Sequence, residues 1–150
     1  MQNRVLPIVI VLCFAALMFV LKLIVPAAPF AFELPMFIPL VVFCGGILVV
    51  LLGGIQFRQA GTTVNPLKPE QTSELVSTGL YSYSRNPMYV GFLLFLIAWG
   101  LYLGSGPGLL LLPLFVRLLT QVQIIPEEKM LEKKFGDRYT AYSKRVRRWI

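Results

Sequence analysis

The stretch MYVGFLLFLIAWGLYL (Met88–Leu103), GSGPG (Gly104–Gly108) and LLLLPLFVRLLTQVQII (Leu109–Ile125) sets the architecture. Two apolar runs, each near the length needed to cross a bilayer, flank a short break rich in glycine and proline. A connection that short forces the second run back alongside the first. The stretch therefore predicts an antiparallel helical hairpin whose two far ends meet at one membrane face. Further apolar runs lie upstream, at Leu6–Val25 and Met36–Phe57. The expectation is an all-α integral membrane fold with about four transmembrane helices. Leu6–Val25 is longer than a signal-peptide core and no small-x-small cleavage site closes it, so it reads as a retained span. Pro39 and Pro113 are positions where these helices could kink, and Gly45-Gly46 and Gly53-Gly54 would allow close helix approach, within the monomer or in a dimer.

Composition agrees. Of 150 residues, 57% are hydrophobic and only 14% charged, with mean hydropathy +0.73, against about 25% charged in ordinary soluble domains. The length suits a single domain over residues 1–150, leaving chemistry to the helices and their loops. Cys13 and Cys44 lie within apolar runs and read as small buried hydrophobes. The chain contains no histidine. That excludes histidine triads and histidine-containing metal sites, and no metal site is read from it.

The charges are clustered. Arg4 precedes the first span, and Arg58, Lys68 and Arg85 fall between the second and third. Lys129, Lys133, Lys134, Arg138, Lys144, Arg145, Arg147 and Arg148 follow the fourth, whereas the opposite side has Lys22. By the positive-inside rule both termini and the central loop are cytoplasmic. The net charge of +7 is then a membrane-surface signature rather than a sign of nucleic acid. In the tail, 126–150, Leu131, Phe135, Tyr139, Tyr142, Val146 and Trp149 recur at spacings of three or four and form an aromatic stripe. This predicts an amphipathic helix, bent near Gly136 and lying along the interface; a simple electrostatic anchor accounts for it equally well.

Two polar groups sit at the ends of the hairpin. In Arg85-Asn86-Pro87, Asn86 is a good N-cap and Pro87 a good first helical residue. Capping alone does not explain Arg85 and the tyrosines Tyr81, Tyr83 and Tyr89 beside it. A helix N-terminus suits a ligand carboxylate, and tyrosine faces suit a cation such as a sulfonium. At the other end, Pro126-Glu127-Glu128 fits the acidic first turn of a helix; an acid there would also neutralise a cationic ligand. The hairpin brings Asn86 and Glu127 to one surface. Gly61-Thr62-Thr63-Val64-Asn65-Pro66 could line the same mouth or be an ordinary loop.

Arg85-Asn86-Pro87-Met88-Tyr89-Val90-Gly91, followed by Glu127-Glu128, Phe135-Gly136, Tyr139, Tyr142 and Arg145-Val146, resembles the isoprenylcysteine carboxyl methyltransferase and phospholipid methyltransferase group. The match runs from about Phe57 to Ile150. The resemblance implies a membrane enzyme using S-adenosyl-L-methionine at the cytoplasmic end of the last two spans. It implies that Leu75 and Val76 adjoin the cofactor through their backbones and that Tyr81 packs on it. Asn86, Pro87, Met88 and Tyr89 would hold its amino-acid and ribose parts, and Glu127 would bind it. Gln123 matches an arginine that contacts substrate in the eukaryotic enzymes, and Asn86 matches a histidine. Asparagine can still donate and accept hydrogen bonds, but Gln123 removes a permanent charge that could pair with a substrate carboxylate.

The expected acceptor is lipophilic, a prenylated or other small molecule or a membrane lipid, and enters from the bilayer. A carboxylate or thiolate acceptor needs no general base; an amine would need one, for which Glu128 and Tyr89 are weak candidates. Three alternatives stay open: a phospholipid-amine or thiol acceptor, a nicotinamide-dependent reductase of similar fold, and a non-catalytic scaffold. The compact length suggests a prokaryotic inner membrane.

Overall fold

The computed structural model describes residues 6–25, 31–59 and 74–150. Arg4, Lys68 and the 61–66 segment considered above lie outside them. Helix α1 spans Pro7–Ile24, α2 Phe37–Gln59 and α3 Pro87–Leu103. A long fourth helix, α4, runs Gly106–Phe135, and α5 covers Asp137–Arg145. A 3-10 turn at Gly79–Ser82 leads into α3. Among the described residues the fold is entirely helical, apart from an isolated bridge between Ala31 and Ser105.

Helices α1, α2 and α4 are long and apolar enough to cross a membrane, and α3 is a shorter apolar helix of 17 residues. Their outward faces bear side chains that water would not tolerate: Leu12 is 61% exposed, Val41 65% and Leu48 57%. Contiguous apolar surface on this scale belongs against lipid. Both cysteines lie on these outward faces, not in the interior as expected. Lipid is as apolar as leucine, so association depends on close packing. Helix α3 packs most extensively on α2, and this closeness depends on glycine. A Cβ on Gly91 would stand 2.4 Å from Val50 Cγ2 and 3.0 Å from the Gly46 carbonyl. Of the glycine pairs in α2, Gly46 and Gly53 face α3, whereas Gly45 and Gly54 face open space.

Helix α1 belongs to the same core. Met18, Phe115, Leu119 and Leu96 are essentially inaccessible, Phe14 meets Phe115 edge to face at 5.4 Å, and the Trp99 indole donates to the Ala15 carbonyl. The expected hairpin forms: α3 ends at Gly104, and α4 begins at Gly106, where the Ser105 hydroxyl accepts from the Gly108 N–H.

Proline placement explains the irregularities. Pro39 falls in the first turn of α2, where its missing N–H had no partner to lose, and the helix runs on uninterrupted to Gln59. Pro113 follows an interruption at Leu110–Leu111. Pro126 cannot donate to the carbonyl four residues earlier, and Thr120–Ile124 widen into a π-turn in which the Ile125 N–H reaches the Thr120 carbonyl. Helix α4 continues past the expected end at Ile125 to Phe135. It stops at Gly136, whose φ of +52° suits a residue without a Cβ.

Candidate functional site

The first turn of α3 and the Gln123–Glu127 stretch of α4 converge. The Tyr89 hydroxyl donates to Glu127 Oε1 at 2.9 Å and lies 3.1 Å from Oε2. Gln123, one turn earlier on α4 and 1% exposed, donates its amide to the same Oε1. The carboxylate is therefore held at a fixed place by one group from each helix.

Tyr81 is positioned from α2. Gly79 has φ +61°, and a Cβ there would lie 2.1 Å from Gln56 Nε2. Gln56 Oε1 accepts from the Leu80 N–H at 3.0 Å and pins the 3-10 turn. Tyr81 is consequently buried, edge to face with Phe57 at 5.0 Å.

The aromatic stripe of the tail turns inward. Tyr139, Tyr142 and Val146 are buried and pack with Leu75, Leu131 and Phe135, so the stripe faces protein rather than lipid. Burying this stripe against protein leaves the lysines and arginines on the outer side. The Tyr142 hydroxyl donates to the Tyr81 carbonyl at 2.7 Å. Burial raises its proton affinity above the ordinary phenol value, so at neutral pH it remains a donor. Tyr139 is raised by burial as well.

Glu128 is braced from two sides, by Arg85 at 3.1 Å and by Arg148 in a bidentate contact of 2.9 and 2.7 Å. Hydrogen bonding to Glu128 holds the Arg148 proton more firmly than usual. Both Glu128 oxygens are thus engaged by guanidiniums, so its role in this structure is to tie Arg85 and Arg148 together. Asn86 occupies the N-cap position of α3, but its side chain makes no capping bond. It donates instead to the Arg148 carbonyl at 2.9 Å, while the Arg85 N–H donates to the Arg147 carbonyl.

Between these groups lies an open pocket of about 50 Å³. Of the residues expected at the cofactor, Leu75, Val76, Tyr81, Asn86 and Glu127 line it, together with Arg85, Glu128 and the tail tyrosines. Tyr89 lies behind Glu127. Pro87 and Met88 point instead toward Gly53 of α2, and Tyr83 is 77% exposed outside the pocket. Sequence reasoning missed Thr120, whose hydroxyl accepts from the Trp149 indole at 3.0 Å. It also missed the brace from Arg148. Neither has a local signal, since each partner lies 20 or more positions away.

Residues 34–138 match the family described as phospholipid methyltransferase. The chain belongs to that family. It is 33% identical over 92 residues to a protein-S-isoprenylcysteine O-methyltransferase of Schizosaccharomyces pombe, covering 61% of this chain and 39% of that protein. The Saccharomyces cerevisiae protein of the same name is 32% identical over 108 residues, covering 67% and 45%. This chain thus spans less than half the length of either. An uncharacterized Haemophilus influenzae protein is 46% identical over 63 residues, which is 42% of this chain and all of that protein. No solved structure matched. The phospholipid methyltransferase match runs from before α2 to the start of α5, so it contains the whole Tyr89–Glu127 arrangement.

Proposed function

We propose that the chain transfers a methyl group from S-adenosyl-L-methionine to a lipophilic acceptor at the cytoplasmic membrane face, in a reaction most like isoprenylcysteine carboxyl O-methylation. The observation that carries this reading is the Glu127 carboxylate, held by Tyr89 and Gln123 at the base of an aromatic-walled pocket.

The residues present fit such a donor. Glu127 offers negative charge to its cationic end, Tyr81 and the tail tyrosines offer ring faces, and Leu75, Val76 and Leu131 offer apolar walls. The buried Arg85 Nε has no hydrogen-bond partner among the described residues, leaving one donor for the carboxylate of an amino acid. Asn86, Pro87, Met88 and Tyr89 would support it from the start of α3. A pocket of about 50 Å³ is below the ~300–1,000 Å³ usual for ligand sites, so entry requires the α5 tyrosines to move outward. When bound, the sulfonium supplies a methyl group already activated for displacement. The chain's own part is to orient donor and acceptor and keep water away.

Gln123 would face the acceptor. With Glu128 braced by two arginines and the Tyr89 hydroxyl committed to Glu127, the site has little to take a proton from an amine. This favours a carboxylate or thiolate acceptor. The neutral Gln123 and the family's description keep a phospholipid amine as the second reading. The placement of lysine and arginine supports a cytoplasmic mouth.

Calorimetry of the purified protein in detergent tests the pocket. S-adenosylmethionine should bind, and Glu127→Ala should abolish binding; binding indifferent to that change, or binding of a nicotinamide cofactor instead, would refute the reading. Methyl-labelled product released by mild base would identify an ester, whereas stable label would identify an amine or thioether.

A further inference from the structure

The 146–150 segment runs beside the donor pocket and is bonded to three of its lining residues, Arg85, Asn86 and Glu128. It is tied down at successive points: the Arg147 carbonyl by the Arg85 N–H, the Arg148 carbonyl by Asn86, and the Arg148 side chain by Glu128. These ties deliver Trp149 against the membrane core cluster that contains Tyr89 and Leu119. There its indole N–H meets Thr120 Oγ1 at 3.0 Å, while that hydroxyl donates to the Val116 carbonyl.

Thr120 belongs to a column. Gln123 reaches Glu127 one turn further on, and Thr120 stands three positions before Gln123 at the start of the π-turn. They descend about 10 Å from the pocket toward the bilayer interior. Glu127 stands at the donor end, buried Gln123 in the middle, and Trp149 covers the other end. An acceptor's reacting atom must come within about 3–3.5 Å of the carbon it attacks, which puts its head near Gln123. Its hydrocarbon must leave away from the aqueous mouth, along the column and past the indole.

We infer that Trp149 is a specificity-determining residue. It walls the path taken by the acceptor's hydrocarbon, and its bulk limits which chains reach Gln123. This rests on the methyl-transfer reading. Trp149 is held there by one hydrogen bond and by packing, so the indole can give way while Arg148 keeps its grip on Glu128.

The full chain in lipid nanodiscs, supplied with S-adenosylmethionine and N-acetylcysteine carrying geranyl, farnesyl or geranylgeranyl, tests this. Trp149→Ala should raise kcat/KM for the longest probe relative to the shortest by about tenfold, through KM, with donor affinity unchanged. Trp149→Phe should fall between, and Thr120→Val should shift the ratio the same way. An unchanged ratio, or loss of donor binding in Trp149→Ala, overturns the inference. If the wild-type chain methylates none of the probes, the proposed acceptor class fails, and a second measurement then decides the inference. Trp99→Phe leaves Trp149 as the single tryptophan. Its emission should be quenched by phospholipids brominated along their acyl chains, and an unquenched indole overturns the inference.

Discussion

The phenol of Tyr89 and the carboxylate of Glu127, 38 positions apart, share a hydrogen bond of 2.9 Å between two antiparallel helices. A hydrogen bond to a charged acceptor contributes about 1.5–3 kcal/mol. Tyr89→Phe should therefore weaken S-adenosylmethionine binding about tenfold or more while the protein remains folded, as read by calorimetry and thermal unfolding. Undiminished affinity would show that Glu127 holds its place without the phenol.

Glu128 is a structural brace. Its side chain and that of Arg85 are 15% and 14% exposed, whereas Arg148 is 37% exposed. Arg148→Ala should then loosen α5 by less than about 1 kcal/mol. Glu128→Gln, which leaves the buried Arg85 charge uncompensated, should cost several kcal/mol, about 3–5 in comparable cases. Hydrogen exchange over residues 137–150 would rank the two. A reversed ranking would make Arg148 the principal tie.

Gly79→Ala should disturb Tyr81. It imposes a left-handed backbone on an L-residue, costing about 1–2 kcal/mol, and drives a methyl into Gln56. Adding Gln56→Ala removes the collision but also the acceptor that pins the Leu80 N–H, so donor affinity should stay low. Full recovery would assign the whole effect to the side-chain clash.

Gly91→Ala should push α2 and α3 apart, lowering stability in detergent by about 1–3 kcal/mol. Gly45→Ala faces open space and should be neutral or slightly stabilising. A stability loss at Gly45 that depends on protein concentration would instead reveal a helix contact between copies of the chain.

The Tyr142 tie predicts a pH dependence. Burial raises the folded-state proton affinity of this phenol above the ordinary 10.0. The folded form therefore retains a proton that the unfolded form loses. Stability from this group is fully present below pH 10.0 and declines as the pH rises further. Phenolate absorbance should show a late-titrating component that Tyr142→Phe removes, and a Tyr142 that titrates near 10.0 would contradict the buried placement.

Much of this was legible in the sequence because it is local. The Gly104–Gly108 break dictates a hairpin, and the hairpin dictates that Asn86 and Glu127 share a surface. The position of Gly136 likewise dictates the break between α4 and α5. What escaped was non-local. Nothing near Arg148 distinguishes it from Arg147, yet one grips Glu128 and the other contributes only its carbonyl to a tie. Asn86 has the chemistry of a cap and sits at the cap position, but a carbonyl arriving from 62 positions away takes its amide. The stripe of the tail was visible as a pattern; whether it faces lipid or protein depends on Leu75 and Tyr81, which no periodicity connects to it.

Helix α3 has 17 residues, about 25 Å of length, beside hydrocarbon about 30 Å thick. With the Gly104 turn level with one headgroup plane, Asn86 stops about 5 Å short of the other. A bilayer that thins there to meet the helix end would let water down to Glu127. On the methyl-transfer reading, a water-borne donor and a grease-borne acceptor would then meet below the phosphates, without either one leaving its own solvent.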